Sequence, residues 1–321
     1  MNSLTVERMD NGRLSLIFRD VFVLALLFAL PSAGVLLMPM ALYLRSRYGL
    51  FTGKRVVFCA VILAAPLVFW LSSLATFLLS ATFFAAGFVL VKSADCGDGP
   101  LLALGKAALT LAVLWAALLV AASLMVGENI YQALVVALQA MLHEAASYPL
   151  GDAASPEARA MVAETIRQAR RLLPVVLPAM MLTPALVAPM AAILLCNVVE
   201  SLRDLPRRWI DFRLWRLPDV LVWLGIILVC AVSMLFDGWL YFVAVNALIL
   251  LALAYAMQGL AVMKFFFDSR RLPVAAQLVL IFLVVSQSFG LLALAILGLI
   301  EVWADFRRLG RRKPQSNHDK E

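Results

Sequence analysis

Charge is scarce in this chain: 15% of its 321 residues are Asp, Glu, Lys or Arg, against about 25% in soluble domains. Histidine is scarcer, with only His143 in mid-chain and His318 near the end, so neither a His-rich metal site nor an HExxH helix can be built. Cys59, Cys96, Cys196 and Cys230 are scattered and form no CxxC pair, and they read as small apolar residues. Walker A, GxSxG and GxGxxG motifs are missing. The acids cluster near the ends of apolar runs, whereas an intramembrane protease would need paired aspartates or a Ser/His dyad deep inside them. The expectation is a protein that is not an enzyme and uses no metal and no cofactor.

What the chain has in excess is apolar length. Hydrophobic residues make up 64% of it, with a mean hydropathy of +0.95, more apolar surface than one soluble core could hide. Runs of span length recur from Val21 to Trp303, and in lipid only helices or closed barrels satisfy their own backbone groups. The runs are long and rich in Leu, Ala and Val, without the ten-residue alternation of a barrel, so helices are predicted. The net charge of +7 comes from basic residues in short connections and not from a basic domain, which argues against nucleic acid as a partner. The first run follows both acids and bases (Glu7, Arg8, Asp10, Arg13, Arg19, Asp20) and has no convincing cleavage site, so no removed signal peptide is read.

Two stretches are ambiguous by hydropathy: Leu14 to Leu44, broken at Pro31-Ser32-Ala33-Gly34, and Pro273 to Ala304, broken at Ser286 to Gly290. Lys and Arg in short loops favour the cytoplasm, and they gather at Arg45, Arg47, Lys54 and Arg55, at Arg203 to Arg216, and at Arg307 to Lys313. Reading each ambiguous stretch as a hairpin puts all three clusters on one side. It gives segments near 14–30, 33–46, 56–72, 74–91, 101–126, 172–198, 219–236, 239–264, 273–287 and 290–305. A segment of about 14 residues reaches only about 21 Å of a core near 30 Å, so the shortest can instead dip into the membrane and return. The expected fold is an all-α, polytopic membrane helical bundle of 8–10 segments with both termini cytoplasmic, multi-pass in the bacterial cytoplasmic (inner) membrane.

The organisation that follows is N-terminal membrane helices over 1–126, an extracytoplasmic amphipathic helical insert over 127–171, C-terminal membrane helices over 172–306 and a basic cytoplasmic tail over 307–321. The insert reads as two helices. Gln132, Gln139 and His143 share one face of the first, and Ser155-Pro156-Glu157 starts the second with a cap hydroxyl, a first-turn proline and an acid at the positive end of the dipole. It is either a structural cap or a lid.

Ionisable residues inside spans are costly and need a reason. Lys106, one turn into its span, can snorkel to the interface, and Asp219 after Pro218 can cap a helix. Glu301 and Asp305 share a face of the last helix and read either as a cytoplasmic latch to Arg207, Arg208 or Arg213, or as a docking site. Deeper polar residues are neutral: Asn246, Tyr255, Gln258 and Gln287, with Gln277, Ser286 and Ser288 nearby. They either hydrogen-bond between helices or, for Asn246, Tyr255, Gln258 and Gln287, line a small polar cavity.

The run Arg216-Leu217-Pro218-Asp219, then Gln258-Gly259-Leu260-Ala261-Val262, then Gly298-Leu299-Ile300-Glu301-Val302-Trp303-Ala304-Asp305-Phe306-Arg307 resembles the YybS-like family, bacterial integral membrane proteins of unknown function. Glu301 stands where that family's Gly-Leu-x-Asp-x-Trp pattern has an aspartate, which keeps the charge. Pro31, Gly34, Pro39, Tyr48-Gly49 and Gly53 are similar to the punctuation of its first helices, and loosely similar to substrate-binding subunits of energy-coupling-factor transporters. Two functions follow as expectations. One is a transporter-like module that binds a small neutral or weakly charged solute and relies on a separate energising protein subunit. The other is a non-transporting scaffold that docks a cytosolic partner or anionic lipid, with membrane lipids as surroundings in both.

Overall fold

Leu, Ala and Val dominate the apolar runs, and in the computed structural model, which describes residues 3–30, 33–71, 73–147, 156–202, 209–235, 238–287 and 289–307, those runs are helical. Ten α-helices and two 3-10 turns, with no strand among the described residues, make the protein all-α. In chain order they are α1 (Ser3–Ala29), α2 (Leu37–Leu71), α3 (Leu74–Asp95), α4 (Pro100–Val126) and α5 (Ile130–Ser147), then α6 (Pro156–Leu202), α7 (Val220–Met234), α8 (Trp239–Ser269), α9 (Val274–Ser286) and α10 (Gly290–Ala304). Ends fall where the residue chemistry requires them. The Ser73 hydroxyl accepts the Thr76 N–H to open α3, and Gly97, at φ +75°, takes the left-handed step that closes it. Proline opens α4, where a missing N–H costs nothing.

By length and composition, α3, α4, residues Ala160–Val198 of α6, and α8 can each cross a membrane, and α9 with α10, bent by 107°, makes a fifth if counted as one span. Of the other expected segments, 56–72 and 219–236 correspond to shorter apolar pieces, Arg55–Ala64 and α7, and 14–30, as far as Ala29, lies within the 27 residues of α1.

Helix α2 is not straight. A Cβ on Gly53 would lie 3.7 Å from the Leu44 carbonyl oxygen, whereas nine residues of straight helix rise about 13 Å. The trace doubles back between Leu44 and Gly53, and its two arms fall in the expected pieces 33–46 and 56–72 as far as Leu71, with Gly34–Leu36 a 3-10 turn ahead of the first. The basic cluster at Arg45 to Arg55 sits on this reversal, as a helical turn where a loop was expected.

The chain divides into two compact units: residues up to Val126 with Pro184–Trp209, and Gly127–Thr183 with the residues from Ile210 onward. The expected boundary at 171/172 carries no break, because α6 runs unbroken for 47 residues. Its Ala, Glu, Gln and Arg residues before Leu172 are strong helix formers, so the insert's second helix continues straight into the apolar run.

In the first unit α1 packs on α2, α2 on α3 and α3 on α4. Small residues permit the approach: a Cβ on Gly87 would meet the Met38 Cα at 2.8 Å, and one on Gly34 the Ser80 hydroxyl at 2.9 Å. Phe28 packs against Phe77 and Phe84 with ring centroids 5.8 and 5.6 Å away. In the second unit α8 is central, with α7 and α10 against it. The closest approach is at Gly259 and Gly298, where added Cβ atoms would lie 1.9 Å from the Leu294 carbonyl oxygen and 2.0 Å from that of Tyr255.

Candidate functional site in the second unit

Proline sets the chemistry of α6. Pro178 has no N–H, so the Pro174 carbonyl one turn earlier loses its helical partner. Tyr131 of α5 supplies one, its hydroxyl donating to that carbonyl at 2.7 Å. Gln139, two turns along α5, donates to the Arg170 carbonyl at 3.2 Å, so α5 is tied to the first half of α6. Next to the proline, the Ala179 N–H donates to the Asn246 side-chain oxygen and the Asn246 amide donates to the Val175 carbonyl, both at 2.7 Å. Val175 and Ala179 are a pair that an unbroken helix joins directly. The Asn246 amide bridges the ladder there, and its other hydrogen goes to the Phe242 carbonyl on α8.

Gln258 does the same kind of work at another level of α8. Its oxygen accepts the Leu217 N–H, just before Pro218, and its amide donates to the Gly298 carbonyl, both at 2.8 Å. Asn246 and Gln258 are buried, and their amides are engaged with backbone. They stand twelve residues apart on α8, about 18 Å along the axis. Gln287 is exposed at the bend between α9 and α10. Tyr255 lines a groove of about 370 Å³ between α7, α8 and α10 whose other walls are almost wholly apolar, and its buried hydroxyl has no hydrogen-bond partner among the described residues. The four residues expected to line one polar cavity are therefore not brought together, and the physical reason is that helix backbone opened by proline, or ending before it, claims two of the amides first.

Among the described residues Glu301 pairs with Arg307 and Asp305 with Arg216. Arg207 and Arg208 lie outside the described residues. Glu301, wholly buried, accepts from Arg307 Nε at 2.8 Å and from the Phe306 N–H at 3.0 Å. Arg307 Nη1 then donates to the Arg213 carbonyl at 2.7 Å, which fastens the end of α10 to the connector before α7. Asp305 lies 3.7 Å from Arg216, which also pairs with Asp219 at 3.1 Å. Asp219 thus makes no side-chain cap on α7, contrary to expectation, because Arg216 holds its carboxylate. A neighbouring knot joins Lys264, Asp268 and Gln277, with Arg213 at 3.8 Å from Asp268. By sequence Arg307 belongs to the basic tail, and the one signal of its role is its place six residues beyond Glu301; the structure joins the two by turning the chain back at Asp305, left-handed at φ +42°.

The first unit has its own polar end. Asp20 accepts from Arg19 and from the Tyr48 hydroxyl, Arg45 pairs with Asp95, and Lys106 pairs with Asp98. The Lys106 ammonium and the Ser93 hydroxyl hold the Asp98 carboxyl below its ordinary range. Lys106 is therefore held by an acidic partner.

A family model described as a predicted membrane protein, DUF2232, matches residues 19–302. The chain belongs to the DUF2232 family. It is a polytopic α-helical membrane protein, and the matched range takes in Asp20, Asn246, Gln258 and Glu301 while stopping short of Asp305 and Arg307. No curated protein and no solved structure matches the chain.

Proposed function

We propose that this protein is a non-transporting membrane scaffold, seated in the bacterial inner membrane, that docks a cytosolic partner or anionic lipid through the basic residues at the ends of its helices. The observation that carries the reading is the engagement of Asn246 and Gln258: amides that would mark a solute site are bonded to backbone, which leaves a polar solute nothing to recognise at those positions. The connector from Ile210 to Pro218, within the second unit, supports it further. Its backbone is held by Arg307 and Gln258, so it presents Arg213, nearly half exposed, from a fixed platform. A photo-crosslinking residue at Ile210, which is exposed, should capture one reproducible cytosolic protein in living cells. Capture of lipid and background alone contradicts the protein-docking form.

The transporter-like reading has one observation in its favour, the hold of the Asn246 side chain on α6 backbone beside Pro178, since carriers build sites where helix backbone bonds to groups outside its own helix. The loose similarity of Pro31, Gly34, Pro39 and Gly53 to the punctuation of energy-coupling-factor substrate-binding subunits points the same way, whereas the YybS-like resemblance carries no function. Under it, a small neutral solute would have to displace Asn246 from Val175 and Ala179.

A further inference from the structure

We propose that the groove between the two arms of α2 and α3, in the first unit, holds one chain of an anionic phospholipid with its headgroup at Arg45. This deepens the lipid side of the scaffold reading and rests on it. The groove has a volume of about 350 Å³, and apart from Arg45 its walls are apolar, with Val57, Phe58, Val61, Phe84 and Phe88 along its length. From Gly53 at the reversal to Val61 it follows two turns of helix, about 12 Å. Phe58 and Phe88 are 68% and 49% exposed, so the groove opens toward the surroundings of the bundle, where lipid is the solvent.

Its polar end carries the headgroup chemistry. Arg45 reaches Asp95 through Nε alone, at 3.0 Å, and its terminal nitrogens have no hydrogen-bond partner among the described residues. Lys92, exposed in the last turn of α3, stands one turn beyond Phe88 on the helix face that lines the groove and pairs with no acid among the described residues. Two cations against one carboxylate leave the mouth net positive beside an apolar trough. A free phosphate would gain nothing from the trough, and a neutral hydrocarbon nothing from the mouth. A phospholipid with net negative charge uses both.

The test uses the full-length protein in mixed micelles of phosphatidylglycerol and phosphatidylethanolamine at equal amounts, with retained lipid read by native mass spectrometry. The expected result is one retained lipid enriched about fivefold in phosphatidylglycerol, the factor one cation contributes at an anionic lipid surface. Arg45→Ala should bring the ratio to about one, Asp95→Asn should raise it by freeing Arg45, and Val61→Trp should lower retention of both lipids by filling the trough. Asp95→Asn keeps the test decisive if Arg45→Ala does not fold, because loss of a merely structural ion pair would not raise selectivity. Equal retention by the wild type, unchanged selectivity in Asp95→Asn, or full retention by Val61→Trp overturns the proposal. Enrichment together with failure to crosslink a cytosolic protein at Ile210 leaves this site standing and removes only the protein-docking form of the scaffold.

Discussion

Asn246 and Gln287 carry the same class of side chain and do opposite things. Asn246 is buried and bridges Val175 to Ala179, while Gln287 is exposed between two short helices. Asn246→Ala leaves an N–H and a carbonyl of α6 to find each other beside a proline, which should cost about 1–3 kcal/mol, the penalty for unsatisfied buried groups. Gln287→Ala should stay within about 0.5 kcal/mol of wild type. Thermal unfolding in one detergent compares them, and equal melting points would refute the assignment. Glu301→Gln should be harsher, at about 3–5 kcal/mol, because it leaves the Arg307 guanidinium buried without its counter-charge. Replacing both Glu301 and Arg307 with leucine should recover much of that loss in the same assay. At this scale the sequence was informative about which residues are unusual and silent about what they touch. The partners of Asn246 and Gln258 are backbone groups far along the chain, and no side-chain pattern encodes them. Pro174 and Pro178 did contain half the answer, since a missing N–H always leaves a carbonyl seeking a donor.

Among the helices, the α8–α10 contact is set by two glycines, and a methyl group at either meets backbone, which cannot move aside. Gly259→Ala or Gly298→Ala should therefore lower stability or the yield of folded protein. Gly105→Ala in α4, where a Cβ meets nothing within 4 Å, should be neutral or stabilising by up to about 1 kcal/mol from helix propensity. The contrast is measured by fluorescence-detected size exclusion after heating; an unstable Gly105→Ala alongside a stable Gly259→Ala would contradict the packing. The reversal in α2 was legible because Lys and Arg crowd between two apolar runs too close together to be one straight span. The continuity of α6 was not, because positive-inside arithmetic places a boundary where charge changes, and a helix crosses such a boundary freely when its residues favour helix on both sides.

For the molecule as a whole, the charge pattern predicts a sidedness that the family assignment leaves open. A reporter fused after Glu321 should read cytoplasmic and one inserted at Gly151, between α5 and α6, extracytoplasmic. The opposite reading at either position refutes the layout. The central functional claim is that the buried amides hold helices and not a solute. The most direct measurement is a thermal-shift screen of wild type and Asn246→Ala in parallel against vitamins, nucleosides and lipid precursors. The account predicts that Asn246→Ala melts lower and that no solute raises the melting point of either protein. A compound that stabilises the wild type by several degrees, and loses that effect in Asn246→Ala, would contradict it.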